Sequence, residues 1–355
     1  MNINKLRGEI DILDSKIVEL LNKRANVAEK IGIIKKRSRA QIYAPDREKQ
    51  VFKRVTSNNK GPLSNECLMA VYRELIAGSR VLEKSLKVSY LGPEGTFSYF
   101  AAKGKFGSTL EYLPSNGIDA VFREVANGRV DYGIVPVENT TEGSIRETLN
   151  MFNECDVKVC AEIVMQIHHN LMANCKISKI KKIYSKSQVF FQCKLWLANN
   201  FENVDLLDVG STTEAAIIAA KGSTSAAIAH SEVAQIYGLK ILRRNIEDYP
   251  NNITRFFVLS KEFPSPTGQD KTAIMCYMKN EAGALYKILE PFRKYKINLT
   301  NIEPLPTKKE AWDYCFYIDF NGHSGDSNVK NALKEVKRKC IDLNIIGSFP
   351  TGETT

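Results

Sequence analysis

Gly133-Ile134-Val135-Pro136-Val137-Glu138-Asn139-Thr140-Thr141-Glu142-Gly143-Ser144 is an apolar, β-like run that ends in an acid, an amide and hydroxyls. It then enters a helical pattern from about Ser144 to Phe152. Further along, Asn252-Ile253-Thr254-Arg255-Phe256-Phe257-Val258-Leu259 again sets polar side chains beside an apolar stretch. A strand that turns into a helix aims free N-terminal amides, and any hydroxyl beside them, at whatever lies above the sheet. Alone, Ser or Thr at such a turn is ordinary capping. Two such stretches, each with groups able to bind an anion or donate a proton, direct attention to the middle of the chain.

Working outward, residues 87–262 alternate short β-like and helical runs, with strands expected at Val88–Leu91, Asp131–Val137, Lys182–Tyr184, Val204–Val209, Ala226–Ala229 and Phe256–Leu259. That alternation is the pattern of an α/β domain with mainly parallel sheets. Lys261-Glu262-Phe263-Pro264-Ser265-Pro266-Thr267-Gly268 is a linker. Residues 271–355 read strand, helix, strand, strand, helix, strand, a ferredoxin-like α+β order. Residues 1–86 are all-helical: positions 3, 6, 10, 13, 17, 20, 24, 27, 31 and 34 form a seam of packed helices, aliphatic throughout except Arg24. Further helices are expected from Pro45 and from about Ser64 to Glu83. The chain is therefore multidomain, as 355 residues require.

The net charge is +10, and residues 1–86 carry +8 of it, with 18 Lys/Arg against 10 Asp/Glu. The basic helices lack interleaved aromatics or a reader motif for nucleic acid, so a small multiply charged anion is the expected partner. Eight scattered cysteines, with no CxxC and no Cys/His cluster, point to reduced thiols and no metal. Neither a signal-peptide core nor a membrane-length apolar run is present, so a cytoplasmic protein is expected.

A charge on an apolar seam is costly unless it is paired. Arg24 is either a register-fixing residue or part of a site, and Lys35 projects from nearly the same face three turns on. With Arg47 and Glu48 opening the next helix, these groups suit a dianion bearing a hydroxyl. The module resembles the all-helical chorismate mutases in LRGEIDILDSKIVELLNKR, IGIIKK, DRE and AGSR. The resemblance implies substrate contacts at Arg7, Arg24, Lys35, Arg47, Glu48, Ser79 and Glu83, with Arg24, Lys35 and Glu83 catalytic. It also implies a homodimer or higher homo-oligomer in which Arg7 reaches the partner's site. Chorismate rearranges to prephenate without a nucleophile or a cofactor, so catalysis comes from conformer selection and charge stabilisation. Ala44 stands where relatives often have Asp, and Glu83 where some have Gln.

The α/β segment resembles prephenate dehydratases through GPEGTFS, VPVENTTEGS, YSKSQVFFQC, GSTTEAA and TRFFVL, in the family's order. That implies two α/β lobes of the periplasmic-binding-protein kind with the site between them. It also implies Thr254 as the proton donor, Arg255 as organiser of the cleft, and Asn139, Thr140, Ser211, Thr212 and Phe256 as further substrate contacts. Ser211 with Glu214 equally fits a capping box. Lys186 replaces the family's usual His. Histidines 168, 169, 230 and 323 lie outside these motifs and are assigned structural or surface roles.

The last segment resembles the ACT regulatory domain, implying phenylalanine as effector at Gly283, Ala284, Leu285 and Glu303. Its second motif, Glu303-Pro304-Leu305-Pro306, keeps the acid and lacks the usual arginine. Together the resemblances imply a bifunctional enzyme of phenylalanine synthesis, from chorismate through prephenate to phenylpyruvate. Alternatives are an arogenate-accepting dehydratase and a non-catalytic metabolite sensor.

Overall fold

The computed structural model describes residues 2–38, 45–141, 143–306 and 314–352. By its contacts the chain divides into two units: Met1–Lys87 with Phe106–Glu111, and Val88–Lys105 with Tyr112–Thr355. The position of Ala44 falls outside the described residues.

The first unit is built on α1 (Ile3–Ser38), α2 (Pro45–Asn58) and α3 (Asn65–Glu83). Pro45 opens α2 with its ring at a position that has no helical donor to lose. Ser64 caps α3 by accepting from the Cys67 amide at 3.1 Å. Helix α1 meets α3 at Gly32, where a Cβ would lie 2.8 Å from the Glu83 Cα; any larger residue would push the helices apart. Arg80 of α3, 5% exposed, is ion-paired with Glu48 of α2 and so pins the two helices together. The expected seam does not pack within one chain: Ile10, Leu13, Ile17, Leu20, Val27 and Ile34 are 52–64% exposed. Glycine and polar residues of α1, rather than the aliphatic seam, face α3.

The second unit begins with β1 (Lys87–Leu91), α4 (Phe97–Phe106), β2 (Glu111–Ser115), α5 (Ile118–Ala126), β3 (Tyr132–Asn139), β4 (Gly143–Ser144), α6 (Arg146–Met151) and β5 (Lys158–Gln166). The chain crosses to a second sheet through β6 (Asn170–Ala173), β7 (Lys182–Ser185), α7 (Ser187–Gln192), α8 (Lys194–Asn200), β8 (Asp205–Asp208), α9 (Thr212–Lys221), β9 (Ser225–Ala229), α10 (Ser231–Ile236) and β10 (Lys240–Arg243). It returns to the first sheet as β11 (Ile253–Ser260).

The first sheet runs β5-β11-β3-β1-β2 and the second β10-β6-β9-β7-β8. Neither is mainly parallel. The returning strand β11 runs antiparallel to both β3 and β5, and β6 antiparallel to β9 and β10. Parallel pairing joins β1 to β3, β7 to β8 and β9, and the C-terminal strand β15 (Asp342–Pro350) to β5. The helix expected from Ser144 starts later, at Arg146, because Gly143 and Ser144 pair with the end of β3.

The chain ends in β12 (Asp270–Met278), α11 (Ala284–Lys294), β13 (Leu299–Pro306), β14 (Tyr314–Asn321), α12 (Ser327–Lys339) and β15 (Asp342–Pro350). Its antiparallel order β13-β14-β12-β15 is the ferredoxin-like arrangement. Helices α11 and α12 cover one face through Ile288, Phe292, Val329 and Val336. The other face shares a core with the first sheet, where Phe257 and Leu259 meet Met275, Leu305, Tyr317 and Phe349. Gly347 pairs with Val159 where a Cβ would lie 2.5 Å from the Val159 carbonyl oxygen, so only glycine lets the two sheets join there.

Candidate active sites

Antiparallel pairing sets Asn139 at the end of β3 opposite Thr254 at the start of β11. Asn139 Nδ2 donates to Thr254 Oγ1 at 2.7 Å and to Asn252 Oδ1 at 3.0 Å. Asn139 Oδ1 accepts from the Thr141 amide at 2.9 Å and from the Thr141 hydroxyl at 2.5 Å. Gln192, at the end of α7, donates to Thr141 Oγ1 at 2.9 Å and accepts from Asn252 Nδ2 at 3.0 Å. His169, on the crossover between the sheets, places Nε2 2.6 Å from Gln192 Oε1. Asn139, His169, Gln192, Asn252 and Thr254 are each at most 9% exposed. A connected polar network of this burial is stiff, because breaking any bond strands a desolvated group.

The Gly92–Ser98 turn packs beside the network through Phe97. Gly95, with φ of +89°, brings the Gly92–Ser98 turn against Thr213, where a Cβ would lie 3.1 Å from the threonine hydroxyl. Phe97 sets its ring at 5.9 Å from His169 and 5.5 Å from His230, both edge-to-face. Burial holds the His169 imidazole below its usual range despite its bond to Gln192. Burial, helped by His168 and His169, pushes His230 down to about 4.

In the helical unit, Arg24 Nη1 donates to Ser79 Oγ at 2.6 Å, and Lys35 Nζ lies 3.0 Å from Glu83 Oε2. Helices α1 and α3 thus bring together four of the seven expected mutase residues. Glu48 is turned to Arg80, Arg47 donates to Gln50 at 3.1 Å, and Arg7 is exposed.

Family models match both parts: chorismate mutase type II over residues 6–84 and prephenate dehydratase over 88–264. A bifunctional chorismate mutase/prephenate dehydratase of Aquifex aeolicus is 45% identical over 353 residues, covering 98% of each chain. The protein of that description from Pseudomonas aeruginosa is 40% identical over 98% of this chain and 97% of its own. The chain belongs to the bifunctional chorismate mutase/prephenate dehydratase family. Among solved structures, the prephenate dehydratase of Arthrobacter aurescens in complex with L-Phe matches with a TM-score of 0.70 and 30% identity, over 75% of this chain and 90% of that one.

Within this bifunctional chain, several residues expected at the dehydratase cleft are engaged elsewhere. Arg255 follows Thr254 on a strand, so its side chain leaves by the opposite face. There its Nε lies 2.6 Å from Glu162 Oε2 and its Nη1 2.5 Å from Asp319 Oδ2 of β14, with Glu138 at 3.6 Å. Lys271 adds a second cation at 3.0 Å from Glu162. Burial opposes the guanidinium charge, but Asp319, Tyr317 and Glu162 outweigh it and raise the Arg255 pKa. Burial likewise opposes the Glu162 carboxylate, yet Arg255 and Lys271 hold it below its usual range. Arg255 therefore fastens the dehydratase sheet to the C-terminal sheet instead of lining the cleft.

Thr140 is exposed, and its hydroxyl is used on backbone: it donates to the Asn251 carbonyl at 3.2 Å and accepts from the Ile253 amide at 3.0 Å. Ser211 caps α9, accepting from the Glu214 amide at 3.0 Å, and Thr212 behind it is buried. Phe256 is 1% exposed, within the packed interior.

Thr141, His169, Gln192 and Asn252 are network members that sequence reasoning passed over. Three sit inside the quoted motif stretches, and their polarity at the end of an apolar run was the available signal. His169 had none, because only the crossover brings it to Gln192. Two of the four histidines, His169 and His230, sit against Phe97, Phe100 or Gln192, and His168 lies 2.6 Å from Glu247.

In the C-terminal segment, Gly283 adopts φ of +80° as it caps α11, with Ala284 and Leu285 partly buried behind it. Glu303 on β13 accepts from Ser144 Oγ at 2.8 Å. Leu305, at the position of the missing arginine, is 1% exposed in the core between the sheets.

Two predictions follow the buried charges. Arg255→Ala leaves Glu162 and Asp319 buried beside too little positive charge and is expected to cost about 3–5 kcal/mol of stability. Urea unfolding measures this, and a midpoint equal to wild type overturns the fastening role. Unfolded His230 titrates near 6.5 and native His230 near 4, so between those values the unfolded chain binds more protons. The thermal midpoint should thus fall as pH drops from 6.5 toward 4. The drop should shrink in His230→Asn, which keeps a helix-capping side chain.

Proposed function

We propose that residues 1–86 rearrange chorismate to prephenate, residues 87–262 convert prephenate to phenylpyruvate, and residues 271–355 form an ACT-type sensor of phenylalanine. The observation that carries the dehydratase assignment is the 2.7 Å bond from Asn139 Nδ2 to Thr254 Oγ1. A hydroxyl that accepts from an amide keeps its own proton to donate. That proton is directed at the ring hydroxyl of prephenate. As the C–CO2 bond breaks, its electron pair enters the ring and the C–O bond opposite breaks. The products are CO2, water and an aromatic ring, and solvent restores the donated proton. Aromatisation drives the step, so a weak acid held in place is sufficient.

In the mutase unit the ether C–O bond breaks as a C–C bond forms, in one cyclic shift of electron pairs, and negative charge builds on the ether oxygen. Arg24, held by Ser79, and Lys35, held by Glu83, supply preorganised positive charge for it. The exposed aliphatic seam of α1 supports a homodimer in which a second copy covers it and Arg7 crosses to the partner's site. Among the described residues no helix is long and apolar enough to cross a membrane, and a cytoplasmic setting fits the reduced cysteines.

The sensor assignment draws on the relative solved with L-Phe. Glu303 suits the ammonium of phenylalanine. Ser144, its present partner, pairs with Glu138, next to Asn139 on β3. An ammonium that competes for Glu303 therefore acts on the strand end that carries the Asn139–Thr254 pair.

The two activities should separate by mutation. Thr254→Val is expected to lower dehydration of prephenate by about a hundredfold or more while chorismate consumption persists. Arg24→Ala is expected to do the reverse, at a cost of about 3 kcal/mol in the mutase barrier. Following chorismate, prephenate and phenylpyruvate in one assay tests both; equal loss of both activities in either folded variant refutes the two-site reading. Phenylalanine is expected to slow dehydration and raise the unfolding midpoint, both effects weakening in Glu303→Gln. Calorimetry that finds no phenylalanine binding overturns the sensor assignment.

A further inference from the structure

The amide orientations in the dehydratase network follow from one donor that cannot turn over. The Thr141 backbone N–H donates to Asn139, so the oxygen of that side chain must face it. Asn139 Nδ2 then faces Thr254 Oγ1 and Asn252, and Asn252 must present its oxygen to it. Asn252 consequently turns its own Nδ2 to Gln192, and Gln192 must present Oε1. His169 Nε2, 2.6 Å from that same oxygen, must therefore carry a hydrogen. The remaining ring nitrogen, Nδ1, is buried and has no hydrogen-bond partner among the described residues. That fits the neutral Nε2–H tautomer, since an imidazolium would bury an N–H with nothing to accept it. Glu247 does not serve as that acceptor; it takes the His169 backbone amide at 2.9 Å and His168 Nδ1 at 2.6 Å.

We propose that His169 is a positioning residue for dehydration: its Nε2–H, given to Gln192 Oε1, holds the amide chain in the orientation that leaves the Thr254 proton for the substrate's hydroxyl. If Gln192 turned over, its Nε2 would face the donors of His169 and Asn252. Its oxygen would then draw the Thr141 proton away from Asn139. Asn139 would lose one of the two bonds that fix its amide, and with it the definition of the Thr254 hydroxyl. His169 opposes that turn from outside the substrate-facing residues. The inference rests on Thr254 being the donor, as proposed above.

The test uses the full chain with mutase turnover as the control for folding. His169→Leu is expected to lower kcat for prephenate dehydration about tenfold or more with KM within about twofold, because geometry at the reacting group is lost and binding is not. His169→Gln places an N–H donor where Nε2 lies and is expected to recover most of that loss. Gln as slow as Leu, or Leu as fast as wild type, overturns the proposal. Should His169→Leu not fold, ring 15N spectra of the wild-type protein decide: the Nε2–H tautomer at His169 supports the proposal and the Nδ1–H tautomer refutes it. Thr254→Val, run alongside, separates the two readings. Full dehydration by that variant defeats the donor assignment itself, whereas its loss together with an unaffected His169→Leu defeats only the positioning role.

Discussion

Strand β11 is hydrogen-bonded along both edges, to β3 and to β5, and each of its side chains is committed to one face. Thr254 joins the amide network, and its chain neighbour Arg255 enters the buried cluster of Glu162, Asp319 and Lys271. A slip of one residue would exchange the two, putting a guanidinium among amides and a hydroxyl between carboxylates. Buried carboxylates deprived of their cation are expensive, so the cluster resists that slip. Arg255 thus pins the register on which the position of the Thr254 hydroxyl depends. Asp319 belongs to the C-terminal sheet, so the dehydratase strand and the ferredoxin-like segment share this constraint.

The polar network shows why the dehydratase needs two sheets. Asn139 and Thr254 come from paired strands of the first sheet, and Gln192 from a short helix of the second. His169 and Asn252 lie on the two crossings between them. Each amide has a donor and an acceptor end, and a single backbone N–H propagates one polarity through all of them. The Thr254 hydroxyl accepts from Asn139 within that polarity and so keeps its own proton to donate.

The helical unit solves a different problem with less machinery. A rearrangement that moves no proton needs fixed positive charge, and two helices suffice to fix it. Gly32 lets α1 approach α3 closely enough for Lys35 to reach Glu83, while Arg24, about three turns earlier on α1, finds Ser79. Placing these groups on one side of α1 leaves Ile10, Leu13, Ile17, Leu20, Val27 and Ile34 exposed on the other.

Periodicity alone determined the helices of residues 1–86 and the βαββαβ order at the C-terminus, because side-chain spacing reports which face an element buries. Motif chemistry also singled out Thr254, Asn139, Arg24 and Lys35, since hydroxyls and cations at the ends of apolar runs are costly unless used. What the linear pattern could not carry was direction and distance across the fold. It missed the antiparallel course of β11, because a strand's sense depends on where the chain re-enters the sheet. It placed Arg255 in the cleft, although alternation about a paired strand sends it to the other face. It passed over His169, which becomes meaningful only where the crossover sets it against Gln192. It read the α1 seam as a packed face without its partner, because a periodic apolar stripe states that a face must be buried and leaves tertiary contacts to decide against what.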